Sequence, residues 1–250
     1  MKVALAVMIF CAVISTPLTC IPDSSAQDLS SREQWGERFN SPQATLTYKE
    51  TARNRNGAKT VVIYNLFASG LPKDKHYAFW VYNIGSNPRA VADAYLNQDG
   101  KVVNVLADPK RKISEDPIDL QAFGGKGEPI QVALISDDGN FRAFGEIVPF
   151  PIVETAGQCR LTAIEAAPRY EVMTIKVSGL EPGGDLLIDS QSENETVHSK
   201  AKADAQGNYR SLMVPAVAGK RSGKAQFSLT AKSCKIGVAF PWGDGSYLYQ

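Results

Sequence analysis

Histidine is almost missing from this chain, with His76 and His198 the two present in 250 residues. A hydrolytic triad or a histidine-built metal centre therefore has few candidates, and no G-x-S-x-G turn presents a nucleophilic serine. Charge of one sign is missing as well. The 27 basic and 26 acidic residues leave a net charge of +1, which gives no electrostatic footprint for nucleic acid or an anionic membrane surface. Long apolar runs are lacking: the longest, Val3–Ile14, has 12 residues, whereas a membrane span takes about 20. Cysteine is sparse, and Cys11, Cys20, Cys159 and Cys234 form no C-x-x-C pair, so a redox or zinc site is not indicated.

What is present begins with an export signal. Met1-Lys2 precedes the apolar run, and Ser24-Ser25-Ala26 places small residues at a cleavage site. Residues 1–26 are expected to be removed, leaving Gln27 first and a secreted or periplasmic protein. Cys20 offers a minor alternative as a lipidated cysteine, but Pro17 and Thr19 fit a lipobox poorly. The mature chain keeps Cys159 and Cys234, and an even pair in an exported protein is expected to form a disulfide.

Residues 27–42 form a lead-in. Ser30-Ser31-Arg32-Glu33 can cap a helix on which Trp35 and Phe39 share one face, suited to capping the module that follows. Beyond it the pattern is β almost throughout. Thr60–Ala68, His76–Ile84, Ile130–Ser136 and Phe141–Phe150 are rich in β-branched and aromatic residues. Turn sequences such as Asn97–Gly100, Asp137–Asn140, Glu181–Gly184 and Gln206–Asn208 separate such runs. Short strands at regular spacing predict sandwiches, and the lack of intervening amphipathic helices argues against a parallel α/β sheet.

The two halves repeat. Ser69-Gly70-Leu71-Pro72 precedes Gly100 by 31 residues counted from Ser69, and Ser178-Gly179-Leu180 precedes Gly207 by 29 counted from Ser178. Later, Gly127–Leu134 parallels Gly223–Leu229. Three landmarks in one order predict an all-β chain of two homologous sandwich modules, at 43–150 and 157–250, with the boundary near Pro151–Gly157.

The string S-G-L-P, followed about 30 residues later by D-x-x-G-x, resembles bacterial immunoglobulin-like and fibronectin-type modules, over both halves. His76–Val81, Gly85, Gln98-Asp99-Gly100 and Ile130–Val148 also resemble the extracytoplasmic domain of anti-sigma-K factors. That family carries a cytoplasmic zinc-binding segment and a membrane helix, neither of which this sequence shows, so control of a sigma factor is not carried over and the resemblance implies an extracytoplasmic sandwich alone.

Candidate chemistry is thin. His76 beside Asp74, and His198 after Glu193 and Glu195, read as surface residues. Asp189, Glu193, Glu195 and Asp204 fall in a solvated hairpin whose spacing matches no calcium loop. The same stretch holds Asn194-Glu195-Thr196, a glycosylation acceptor in a eukaryotic secretory host. Ala122–Gly127 is superficially similar to a phosphate loop but leads through Glu128-Pro129 into a strand. Lys110-Arg111-Lys112 reads as a solvated face. Trp242, Tyr247 and Tyr249, with Tyr77 and Tyr82, are candidate rings for stacking on a ligand such as a sugar. The expectation is a non-catalytic exported scaffold for binding or assembly, with no cofactor or metal, whose partner is an unspecified protein or glycan. A carbohydrate-binding accessory protein is the alternative, and a hydrolase a weaker one.

Overall fold

The computed structural model describes residues 35–56, 59–104 and 116–246. The proposed signal, its cleavage site and the helix cap at 30–33 lie outside the described residues, as do Lys110–Lys112, Tyr247 and Tyr249. Sixteen strands account for most of the described chain, joined by tight turns and two single 3-10 turns, Glu37–Phe39 and Pro168–Tyr170.

The first eight strands are β1 (Thr45–Asn56), β2 (Lys59–Ser69), β3 (Tyr77–Asn83), β4 (Arg89–Leu96), β5 (Val102–Asn104), β6 (Asp119–Ala122), β7 (Ile130–Ser136) and β8 (Arg142–Ile147). They make one antiparallel sheet in the order β1-β2-β6 and another in the order β5-β4-β3-β7-β8. The second eight are β9 (Ile152–Ala156), β10 (Cys159–Ala167), β11 (Val172–Ser178), β12 (Asp185–Ser192), β13 (Glu195–Lys202), β14 (Tyr209–Met213), β15 (Ser222–Thr230) and β16 (Lys235–Gly243). Their sheets run β14-β11-β10-β9 and β13-β12-β15-β16.

Set side by side, these orders are one pattern used twice. β1-β2-β6 corresponds to β10-β11-β14, and β4-β3-β7-β8 corresponds to β13-β12-β15-β16. Each module adds one strand of its own, β5 in the first and β9 in the second. The landmarks read from sequence fall on equivalent strands. Gly70 follows β2 with φ 70° and Gly179 follows β11 with φ 79°. A side chain on either would run into backbone: a Cβ would stand 2.2 Å from the Gln43 carbonyl oxygen at Gly70 and 2.1 Å from the Gln158 carbonyl oxygen at Gly179. Both contacts are to the residue closing the lead into the module's own first repeated strand, so glycine is required twice for one reason.

The polar turns repeat too. Asn97 Oδ1 accepts from the backbone N–H groups of Asp99 and Lys101, and Asp204 Oδ1 accepts from those of Gln206 and Asn208. Such Asx turns bend the chain without help from the core.

Alternation along the strands decides what is buried. In β3, Tyr77, Phe79 and Val81 point inward; in β10, Cys159, Leu161 and Ala163 do. One core contains Leu66, Phe79, Leu134 and Ile147, and a separate one contains Leu161, Ile175, Phe227 and Leu229, with no residue common to both. Each large aliphatic or aromatic side chain so buried contributes about 1.5–3 kcal/mol. The lead-in does cover the first module, though through a 3-10 turn: Trp35 lies on the outer face of β3, β7 and β8 against Phe144 and Tyr82.

Strand β9 changes the expected boundary. Ile152–Ala156 pairs antiparallel with β10 from Ile152↔Ala163 to Ala156↔Cys159, so the segment expected to link the modules is the second module's edge strand. Cys159 accordingly opens the second strand of that module. It is bonded to Cys234, which lies in the turn between β15 and β16, with the Cα atoms 6.4 Å apart. The disulfide ties one sheet of the second sandwich to the other.

Candidate binding cleft

Two sheet faces meet where the modules adjoin. From the first module come the outward residues of β3, β7 and β8, namely Tyr82, Gln131 and Glu146. From the second come Thr174 and Lys176 of β11 and Arg210 of β14, which the register places directly beside Lys176. With Trp35 and Glu37 at one end and Glu165 at another, they line a cleft of about 430 Å³.

Its first wall is well ordered by packing. Trp35 meets Phe144 edge-on at 5.4 Å and Tyr82 at 5.7 Å between ring centroids, and the Phe144 backbone N–H donates to Asn40 Oδ1 at 2.6 Å. Gln131 Nε2 donates to Glu146 Oε2 at 2.7 Å, which fixes the amide and aims the carboxylate. Lys176 Nζ approaches Glu146 Oε1 at 3.9 Å across the cleft. This pair is solvated and worth little stability. Arg210 makes no hydrogen bond or ion pair among the described residues, and the Thr174 hydroxyl has no protein partner there either. The cleft thus offers the carboxylate of Glu146 at its centre and those of Glu37 and Glu165 at its ends, two cations, a hydroxyl and an aromatic edge.

At its floor the modules are stitched together. The Glu165 N–H donates to the Gly127 carbonyl at 2.8 Å, and the Gly127 N–H donates to the Phe150 carbonyl at 2.6 Å. Gly127 therefore continues, from the first module, the rungs that β9 makes along β10. A β-bulge between Glu165 and Ala167 redirects β10 at this point. Close approach demands glycine here: a Cβ on Gly125 would stand 2.8 Å from the Tyr170 Oη, and one on Gly127 would stand 3.1 Å from the Ala163 carbonyl oxygen. The glycine cluster that superficially suggested a phosphate loop is the joint between the sandwiches.

Glu165 is the unusual group of this joint. It is 6% exposed and accepts from the Tyr170 N–H at 3.0 Å, with no cation among the described residues paired to it. Burial pushes its pKa up to about 7, with a further push from the Glu128 carboxylate, against the pull of the Tyr170 and Arg169 N–H groups. Glu128 in turn accepts from the Gly125 N–H at 2.9 Å.

The residues proposed from sequence are scattered. Trp242 is 2% exposed, its indole N–H donating to Ser192 Oγ at 2.9 Å, so it packs the second core and cannot serve as a stacking platform. Tyr77 is buried with its hydroxyl donating to the Pro72 carbonyl at 2.6 Å, and burial pushes its pKa up to about 12. Tyr82 alone of the described candidate rings reaches the cleft. His76 is held by Asp137 at 2.7 Å and Asp93 at 3.5 Å at the far end of the first sandwich, and His198 lies 2.6 Å from Asp189 on an exposed face. Asp189, Glu193 and Asp204 serve His198, the Lys224 N–H and an Asx turn respectively, so they do not converge. Asn194 sits exposed at the β12–β13 turn.

A second opening of about 410 Å³ lies between β4 and β6, with Val91 and Phe123 exposed at its lip. No family model matches the chain, and no curated protein matches it.

Proposed function

We propose that this chain is an exported, non-catalytic protein that holds a ligand or partner in the cleft between its two sandwiches and so works as a binding or assembly scaffold. The observation that carries this reading is that both modules contribute unlike walls to one cleft. Tyr82, Gln131 and Glu146 face Thr174, Lys176 and Arg210 across a boundary of the kind where ligand sites concentrate. A concave site whose Arg210 guanidinium and Thr174 hydroxyl have no partner among the described residues has hydrogen-bonding capacity left for a guest. The signal-like start and the Cys159–Cys234 bond fit an oxidising compartment. The repeated strand order supports the resemblance to immunoglobulin-like and fibronectin-type modules.

A photo-crosslinking residue at Arg210, introduced in the producing cell, tests the reading. Adducts formed at Arg210 and lost at an outward control such as Lys235 support it. Equal labelling at both positions refutes the cleft. The carbohydrate-binding alternative is separated by titrating a polysaccharide panel while following Trp35 emission, since Trp35 packs on Tyr82.

A further inference from the structure

The joint that holds the two sandwiches together is built around a carboxylate that pairs with no cation among the described residues. Glu165 lies at the end of β10, buried, and its own backbone N–H makes the hydrogen bond to Gly127 that crosses between the modules. Groups facing it come from four directions. The 3-10 turn Pro168–Tyr170 supplies backbone N–H donors, while the Arg169 guanidinium points away to Asp244 at 2.7 Å. The loop 124–128 supplies the Glu128 carboxylate, and its Lys126 is exposed. Lys176 of β11, the strand beside β10, is engaged across the cleft with Glu146 of β8. Arg210 of β14 and Glu37 line the same cleft further out. The charge nearest in effect is therefore another negative one.

We propose that Glu165 and Glu128 make this joint a pH-responsive hinge, locked when Glu165 carries a proton and loosened when it does not. A neutral Glu165 satisfies its burial and removes the repulsion against Glu128. An ionised Glu165 is relieved by added water, and movement of the loop 124–128 off β10 both admits it and parts the carboxylate from Glu128. That motion would break the Glu165–Gly127 hydrogen bond and lift Gly125 from the Tyr170 hydroxyl, releasing the modules at their stitch. The raised pKa places the change near neutral pH, with the locked form on the acid side.

Spin labels on the turn tips report the hinge, using Gln98→Cys and Gln206→Cys with the native disulfide left oxidised. The inter-label distance distribution should be narrow at pH 5 and at least half as wide again at pH 9, with a midpoint near neutrality. Glu165→Gln, close in shape and without charge, should stay narrow at both pH values. Glu128→Gln removes the repelling charge without touching β10 and should move the midpoint down by roughly half a unit or more. A width unchanged with pH in the native chain overturns the proposal. So does a Glu165→Gln protein that still broadens, or a midpoint indifferent to Glu128→Gln.

Discussion

Reducing the Cys159–Cys234 disulfide should destabilise the second sandwich and leave the first intact. The bond spans 75 positions of sequence, and loop-closure entropy for a ring of that size gives about 4.5 kcal/mol at 25 °C. Measured effects commonly fall at about 2–4 kcal/mol, which in a module of this size corresponds to a fall in Tm of roughly 10–25 °C. Its position makes the effect local. Cys159 starts β10 in one sheet and Cys234 turns the chain from β15 to β16 in the other, so reduction frees the two sheets from each other at one end. No described residue of the first module is a cysteine. Hydrogen exchange before and after treatment with a phosphine reductant resolves the modules. Amides of β10, β11, β15 and β16 should lose protection by two to three orders of magnitude, while those of β3 and β7 hold. Equal loss in both modules would mean that they unfold as one cooperative unit. No loss anywhere would mean that the crosslink contributes nothing; either result refutes the reasoning.

Three further outcomes are expected. Glu165 has a folded-state pKa of about 7 against an ordinary 4.5; stability from this group is therefore full below about pH 4.5 and declines as pH rises to about 7, by at most about 3 kcal/mol. Urea midpoints at pH 5 and pH 8 should differ accordingly in the native chain and converge in Glu165→Gln. Gly179→Ala should cost at least about 2 kcal/mol, since strain at positive φ adds to a clash with the Gln158 carbonyl. Gly157→Ala, also at positive φ but with nothing within 4 Å of its Cβ, should cost about 1 kcal/mol. Intact mass spectrometry of the secreted or periplasmic fraction should give a chain starting at Gln27; a species starting at a lipidated Cys20 would refute that cleavage site.

Local chemistry made much of the fold legible. A glycine at positive φ pressed against a carbonyl and an Asx turn leave residue-level marks, which is why Gly70 and Gly179, or Asn97 and Asp204, betray equivalent strands. The inward place of Trp242 is legible too: Ile236, Val238, Phe240 and Trp242 alternate along β16, and that period alone puts the ring inward. Glu165 follows Cys159, Leu161 and Ala163 at the same spacing, an acid where a core residue belongs, and that discord was the available sign of the joint. Strand β9 was hidden by Pro149 and Pro151, which make five strand residues resemble a linker. The cleft had no sequence signature, because Glu146 and Lys176 meet only through the mutual placement of two sandwiches.

Strand β9 also sets where this protein can be cut. Between Ile147, the last residue of β8, and Ile152, the first of β9, four residues separate the sandwiches. A fragment beginning at 157 would lack β9 and leave Cys159–Ala163 of β10 with open N–H and C=O groups beside the apolar Leu161 and Ala163. Such a bared edge recruits strands from other molecules, so that fragment should self-associate, whereas one beginning at Pro151 should stay monodisperse. The covering of this edge travels with the chain that leaves the preceding sandwich, and the second sandwich inherits its protection from how the first one ends.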